Sequence, residues 1–170
     1  EGGMRVPALA WWPGKVPAGT ASDAITGMHD VLPTLTALAG AKLPADRKLD
    51  GADITPQLTG PPGAEPAHET FFYFNGLVLN AVRHGDWKLY IAMGRNPAAK
   101  AGEFTPQLYN LRTDIGEAAD VAAANPEIVA KLQALIAGME QDLGTGGTGP
   151  GCRELGRVAN PRPLIPHDPK

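Results

Sequence analysis

The chain has 170 residues, enough for one domain or for one and a small part. Fifteen Lys and Arg against eighteen Asp and Glu leave a net charge of −3, which excludes a strongly basic nucleic-acid binder and an acidic tail protein. Hydrophobic residues at 43% suffice for a core, and no apolar run approaches the roughly 18 residues of a membrane span, so no bilayer crossing is expected.

With 21 Gly and 17 Pro, more than a fifth of the chain, many turns and short elements are predicted. An apolar run over 5–12, stopped by Pro13-Gly14, predicts a buried strand with Pro7 near its start. Residues 30–40 predict a helix: apolar side chains recur at helical spacing, Asp30 is placed to cap, and Gly40 suits the position past the end. Residues 41–70, punctuated by Pro44, Asp50-Gly51, Pro56 and 60–63, read as linker-like and hold the expected boundary.

Strand patterns follow at 71–74 and 77–83, joined by Asn75-Gly76, the strongest short hairpin signal in the chain. His84-Gly85-Asp86 turns the chain into a third strand at 87–91, and a loose stretch over 94–106 leads to a fourth at 107–111. Asn125-Pro126 opens the clearest helix, with Asn125 as cap, a stripe through Ile128, Leu132, Leu135, Ile136, Met139 and Leu143, and Gly144 as stop. The tail from 145 to 170 is rich in Gly and Pro and is expected to be irregular. The expected class is α+β: a four-stranded antiparallel sheet covered by the last helix.

Catalytic signals are poor. Cys152 excludes an internal disulfide by being alone, and Ser22 in Ala-Ser-Asp is no nucleophile elbow. His29, His68, His84 and His167 include no pair at a metal-ligand spacing, so no metal residue is assigned. Asp50 and Asp53 resemble the start of a calcium loop but lack the bidentate Glu, so helix capping or turn formation by Asp50-Gly51 is the better account. Arg112, Asp114 and Glu117 read as a local ion-pair and capping network, and Trp11, Trp12, Trp87 and 71–74 as core. His84, at a turn beside Asp86, is the one weak candidate for substrate binding. The chain opens on Glu1, not a small residue that would permit removal of an initiator Met, and is expected to be a piece of something longer.

The order of segments carries more than any single motif. Glu1-Gly-Gly-Met-Arg-Val-Pro-Ala, Trp12-Pro-Gly-Lys, 29–40 and Asp50-Gly51 come in turn, followed by Phe71-Phe-Tyr, 81–90, 108–114 with Glu117, and Asn125-Pro126-Glu127. Together they resemble the later part of the type I, formylglycine-dependent sulfatases, most closely the arylsulfatase A branch. The resemblance implies that 1–60 close a large alkaline-phosphatase-like α/β domain as its terminal strand and helix. It further implies that 61–144 are a small sheet-plus-helix domain and 145–170 a tail.

The same resemblance implies sulfate-ester hydrolysis by the parent protein. Its formylglycine, calcium ion and catalytic Lys are expected upstream, so this chain would bind no cofactor and be inactive alone. No catalytic residue is carried over, because Cys152 departs from Cys/Ser-x-Pro/Ala-x-Arg. The implied partner is an upstream sulfatase domain, with a sulfate ester as substrate and the loops 75–76, 84–86 and 94–106 shaping the pocket mouth. The strand over 5–12 must pair with that domain, with a second copy or with the small sheet. An independent carbohydrate-binding module is the alternative. The compartment is left open, secreted or periplasmic by resemblance.

Overall fold

The computed structural model of the chain describes residues 1–61, 63–92, 104–144, 149–152 and 160. Most of the 94–106 stretch and of the 145–170 tail lies outside them. The four expected strands form as β1 (Thr70–Asn75), β2 (Val78–His84), β3 (Trp87–Tyr90) and β4 (Gln107–Asn110). They pair antiparallel in sequence order, the topology that short turns impose. The first hairpin turns through Gly76 and Leu77 rather than Asn75 and Gly76, because Asn75 is still paired with Val78.

Strand register sorts the side chains. Phe72, Val82, Leu89 and Leu108 lie in one row across the sheet. A bulge between Tyr73 and Phe74 shifts the pairing, so that Phe74 meets Leu79 and Leu79 joins the same apolar face. Helix α3 (Pro126–Leu143) lays Leu132 and Ile136 over this row and closes the core. Trp87 and Phe72 pack at its margin, as expected of them. Burying each of these aliphatic side chains is worth about 1.5–3 kcal/mol, so the sheet-and-helix unit has a core of its own.

Four expectations about the elements need correction. Asn125 does not cap α3; its side-chain amide donates to the Val121 carbonyl (2.9 Å) as a 3-10 turn, Ala122–Ala124, runs into the helix. Asp30 likewise precedes α1 (Val31–Leu38) without capping it, its carboxylate being taken by donors outside the helix. The 41–70 stretch holds a short helix, α2 (Thr55–Thr59), started by Asp53, whose carboxylate accepts the Thr55 N–H at 2.8 Å and hydroxyl at 2.5 Å. The fourth concerns 5–12, which has no ladder partner among the described residues and forms no strand. There Leu9 is 91% and Trp11 82% exposed, so Trp11 and Trp12 are not core. A strand is made by its neighbours, and this apolar run has none here.

Gly40 ends α1 as expected: the Ala41 N–H reaches the Thr36 carbonyl and the Gly40 N–H the Ala37 carbonyl, both at 3.0 Å. One face of this helix still shows Val31, Leu32, Leu35 and Leu38 to solvent. The sheet half of the chain is thus closed over its core, and the N-terminal half is not.

Candidate functional site

The sheet face opposite α3 is charged and aromatic. Register places Phe71, Arg83, Lys88 and Tyr109 in one row on it, and Tyr73, Ala81, Tyr90 and Gln107 in the next. Lys88 is only 2% exposed. A lone buried ammonium would cost several kcal/mol, and here two carboxylates answer it. Glu1 approaches at 2.6 Å and Glu117 at 2.9 Å, while the Tyr73 and Tyr90 rings lie 4.2 and 4.8 Å from the ammonium. The Tyr73 hydroxyl donates to Glu1 (3.1 Å), and Glu117 also accepts from Tyr90 (3.3 Å) and from the Glu1 main-chain nitrogen (2.5 Å).

These contacts set the charges. Burial alone would push the Glu1 carboxyl up, but the Lys88 hydrogen bond and charge, with the Tyr73 hydroxyl, hold it below its ordinary 4.5. Glu117 follows the same balance, with burial opposed by hydrogen bonds from the Glu1 main-chain nitrogen and from Lys88. Burial would strip the proton from Lys88, yet its bonds to Glu1, Tyr90 and Glu117 raise its pKa instead. Tyr73 is pushed up to about 12, first by burial and then by the Glu1 charge. Every group is held in its ordinary ionisation state. Such a cluster fastens segments together and offers no group poised to exchange protons near neutrality.

Glu117 sits at φ +54°, the one described non-glycine residue in the left-handed region. Its carboxylate in the ion cluster and its N–H on the Asp114 carbonyl (3.2 Å) hold it there. The expected Arg112, Asp114 and Glu117 network therefore divides. Asp114 caps the turn through the Ala118 and Ala119 N–H groups, each at 2.9 Å. Arg112 reaches Asp86 at 3.8 Å on the surface.

A second cluster joins the N-terminal half to β1. The Asp30 carboxylate is fully buried and accepts the Gly27 N–H (2.7 Å), the Ala52 N–H (2.9 Å) and His68 Nε2 (2.6 Å). Burial raises its pKa, and those three donors outweigh it to leave the carboxyl low. His29 Nε2 lies 3.6 Å from the same oxygen, and its ring stacks on Phe71.

His84 stands apart from both clusters. Its Nδ1 faces the Thr70 hydroxyl at 2.8 Å and its Nε2 the Lys131 ammonium at 3.1 Å. The ammonium can only donate, so the ring proton belongs on Nδ1. Both nitrogens are spent on joining β2 to β1 and α3. Cys152 donates its thiol to the Leu143 carbonyl at 3.2 Å. Spacing along the sequence could not have found the clusters around Lys88 and Asp30: Glu1 and Glu117 lie 116 residues apart, and Asp30 and His68 lie 38 apart. A Lys inside the otherwise strand-like Trp-Lys-Leu-Tyr was the one local signal.

Residues 66–148 match the family model described as the C-terminal region of aryl-sulfatase. That span contains the whole sheet, α3 and the Glu117 turn. Over that span the chain matches a sulfatase C-terminal region. Arylsulfatase G of Rattus norvegicus is 34% identical over 158 residues, which cover 84% of this chain and 30% of that protein. N-acetylgalactosamine-6-sulfatase of Canis lupus familiaris is 29% identical over 204 residues, covering 98% of this chain and 38% of that one. The chain thus spans about a third of the length of these curated relatives. The PsFucS1 sulfatase of Pseudoalteromonas sp. shares the fold, with a TM-score of 0.58 at 22% identity over 76% of this chain and 29% of its own.

The calcium and formylglycine that sulfatases generally use do not fit the residues here. Calcium takes about six to eight oxygens, and the described residues gather no such cage: Glu1 and Glu117 serve Lys88, and Asp30 brings one carboxylate beside two imidazoles. Cys152 is followed by Arg153, Glu154, Leu155 and Gly156, without the Pro or Ala and the Arg of the nucleophile pattern.

Proposed function

We propose that the chain is the C-terminal portion of a sulfatase that hydrolyses sulfate esters, completing the fold and shaping the substrate pocket without supplying the nucleophile. The observation that carries this reading is the contrast between its halves. The sheet and α3 enclose a core, while Val6, Leu9, Trp11 and the Val31, Leu32, Leu35 face of α1 stand open. An apolar surface of this kind is the cut face of a larger domain. A groove of about 420 Å³ between 8–26 and α2 has no titratable side chain in its lining, which suits packing better than catalysis.

On this reading 1–60 close the large α/β domain, 61–144 are the small domain and 145–170 a tail. The formylglycine, calcium and catalytic Lys belong to the upstream part, in the manner of the arylsulfatase A branch. The loops at 75–76 and 84–86 lie at the rim of the pocket and bear on substrate choice. The names of the relatives favour a carbohydrate sulfate ester. Without the upstream domain, the 5–12 segment pairs with a second copy.

The test is turnover of a generic aryl sulfate by the full-length protein and by the 170-residue chain. Activity confined to the full-length protein, with a Cys/Ser-x-Pro/Ala-x-Arg segment encoded upstream, supports the reading. Turnover by the chain alone, or the absence of that segment, refutes it.

A further inference from the structure

We infer that His29, Asp30 and His68 form a binding site for a borderline divalent transition-metal ion, Zn²⁺ being the natural probe, that staples the N-terminal half to the start of the sheet. The ligand atoms of all three lie within 4.8 Å of one another. They come from two places: the 3-10 turn Met28–Asp30 supplies two, and His68, two residues before β1, supplies the third. Two imidazoles and one carboxylate suit Zn²⁺, Co²⁺ or Ni²⁺ and are too poor in oxygen for Ca²⁺ or Mg²⁺. Three protein ligands leave a fourth tetrahedral position for water, and the part-exposed His29 ring is where solvent reaches it.

The surroundings are built for a fixed carboxylate. Asp30 is held by the Gly27 N–H on Oδ2 and the Ala52 N–H on Oδ1, the kind of outer support that orients a ligand. Both glycines beside the site are required to be small. A Cβ on Gly27 would strike the His29 ring, and one on Gly51 would strike the His29 carbonyl. A hydrogen bond from His68 Nε2 to Asp30 Oδ1, at 2.6 Å, already joins two of the ligands. Metal–ligand bonds of about 2.0–2.2 Å in a tetrahedron set ligand atoms about 3.3 Å apart. The His68 Nε2–Asp30 Oδ1 pair must therefore part by about 0.7 Å and the widest pair, within 4.8 Å, must draw in, while the ring proton leaves Nε2 to solvent and Nδ1 takes one up. The 3.6 Å between His29 Nε2 and Oδ1 already matches that spacing.

The experiment uses the full-length protein with calcium held saturating, as wild type and as His29→Asn and His68→Gln. Zinc chloride is titrated calorimetrically, and Co²⁺ is followed by its visible absorption. One equivalent should bind with micromolar or tighter affinity, with tetrahedral Co²⁺ bands. Each variant should weaken that event by at least about 100-fold while keeping the wild-type circular dichroism. Identical isotherms in all three proteins, or a loss in only one variant, would overturn the site. Should a variant not fold, zinc protection of His29 and His68 from diethyl pyrocarbonate in the wild type decides it, and labelling rates indifferent to zinc refute it. Because no readout is sulfate-ester turnover, the outcome is independent of the proposed function.

Discussion

Lys88 Nζ lies 2.6 Å from the Glu1 carboxylate, 87 residues away along the chain, and both side chains are almost wholly buried. This ion pair fastens the N-terminal segment to the sheet face that α3 leaves free. Replacing Lys88 by Met would strand Glu1 and Glu117 as two buried carboxylates of like charge. The expected loss is about 3 kcal/mol of unfolding free energy. Adding Glu117→Gln to that variant should recover part of it, which a urea-unfolding cycle at pH 7 measures directly.

The same cluster fixes the pH range of stability. Glu1 and Glu117 titrate below their ordinary 4.5 in the folded chain. Their contribution is present above about pH 4.5 and is lost as pH falls through the lower folded values. Lys88 titrates above its ordinary 10.5, so its contribution holds below that value and fades as pH rises past it. Thermal unfolding followed by circular dichroism should show a plateau between those limits with a fall on each side. Glu117→Gln should flatten the acid side.

How much of this was legible in the sequence follows from how local each signal is. The four strands and α3 showed because alternation, turn residues and a helical stripe are read within a dozen residues. Helix α2 did not, because Pro56 and Gly60 that frame Thr55–Thr59 look the same in a linker. Residues 5–12 carried a true apolar signal with a missing partner, so pattern alone made them a strand and their exposure shows what they lack. Asn125 holds the position of a cap before Pro126, but the 3-10 turn just upstream takes its amide to the Val121 carbonyl. The clusters around Lys88 and Asp30 exist only after folding, since their members meet from separate elements.

The helix-to-sheet core gives a third expectation. Leu132 of α3 is 1% exposed and packs on the Val82 and Leu89 row. Leu132→Ala should cost about 2–5 kcal/mol through lost burial and the cavity left behind. Its neighbour Lys131→Ala, whose exposed ammonium meets His84 at 3.1 Å, should cost under about 1 kcal/mol. Paired denaturation curves separate the two.

His84 supplies a fourth. With Thr70 on one nitrogen and Lys131 on the other, it has no free position to act on a substrate. His84→Gln in the full-length protein should leave kcat/KM for an aryl sulfate within about threefold of wild type, under about 0.7 kcal/mol. A drop beyond tenfold with unchanged thermal stability would return His84 to the pocket.

The central claim is the proposed one, that this chain is the C-terminal portion of a sulfatase and that its exposed face meets the upstream portion. Its most direct test is complementation: the upstream part and these 170 residues expressed as two separate chains in one cell. The account predicts that the pieces co-purify and restore aryl sulfate turnover that neither shows alone. Leu9→Asp together with Leu35→Asp, both on the open apolar surface, should abolish both effects. Full turnover by the upstream piece in the absence of this chain would contradict it.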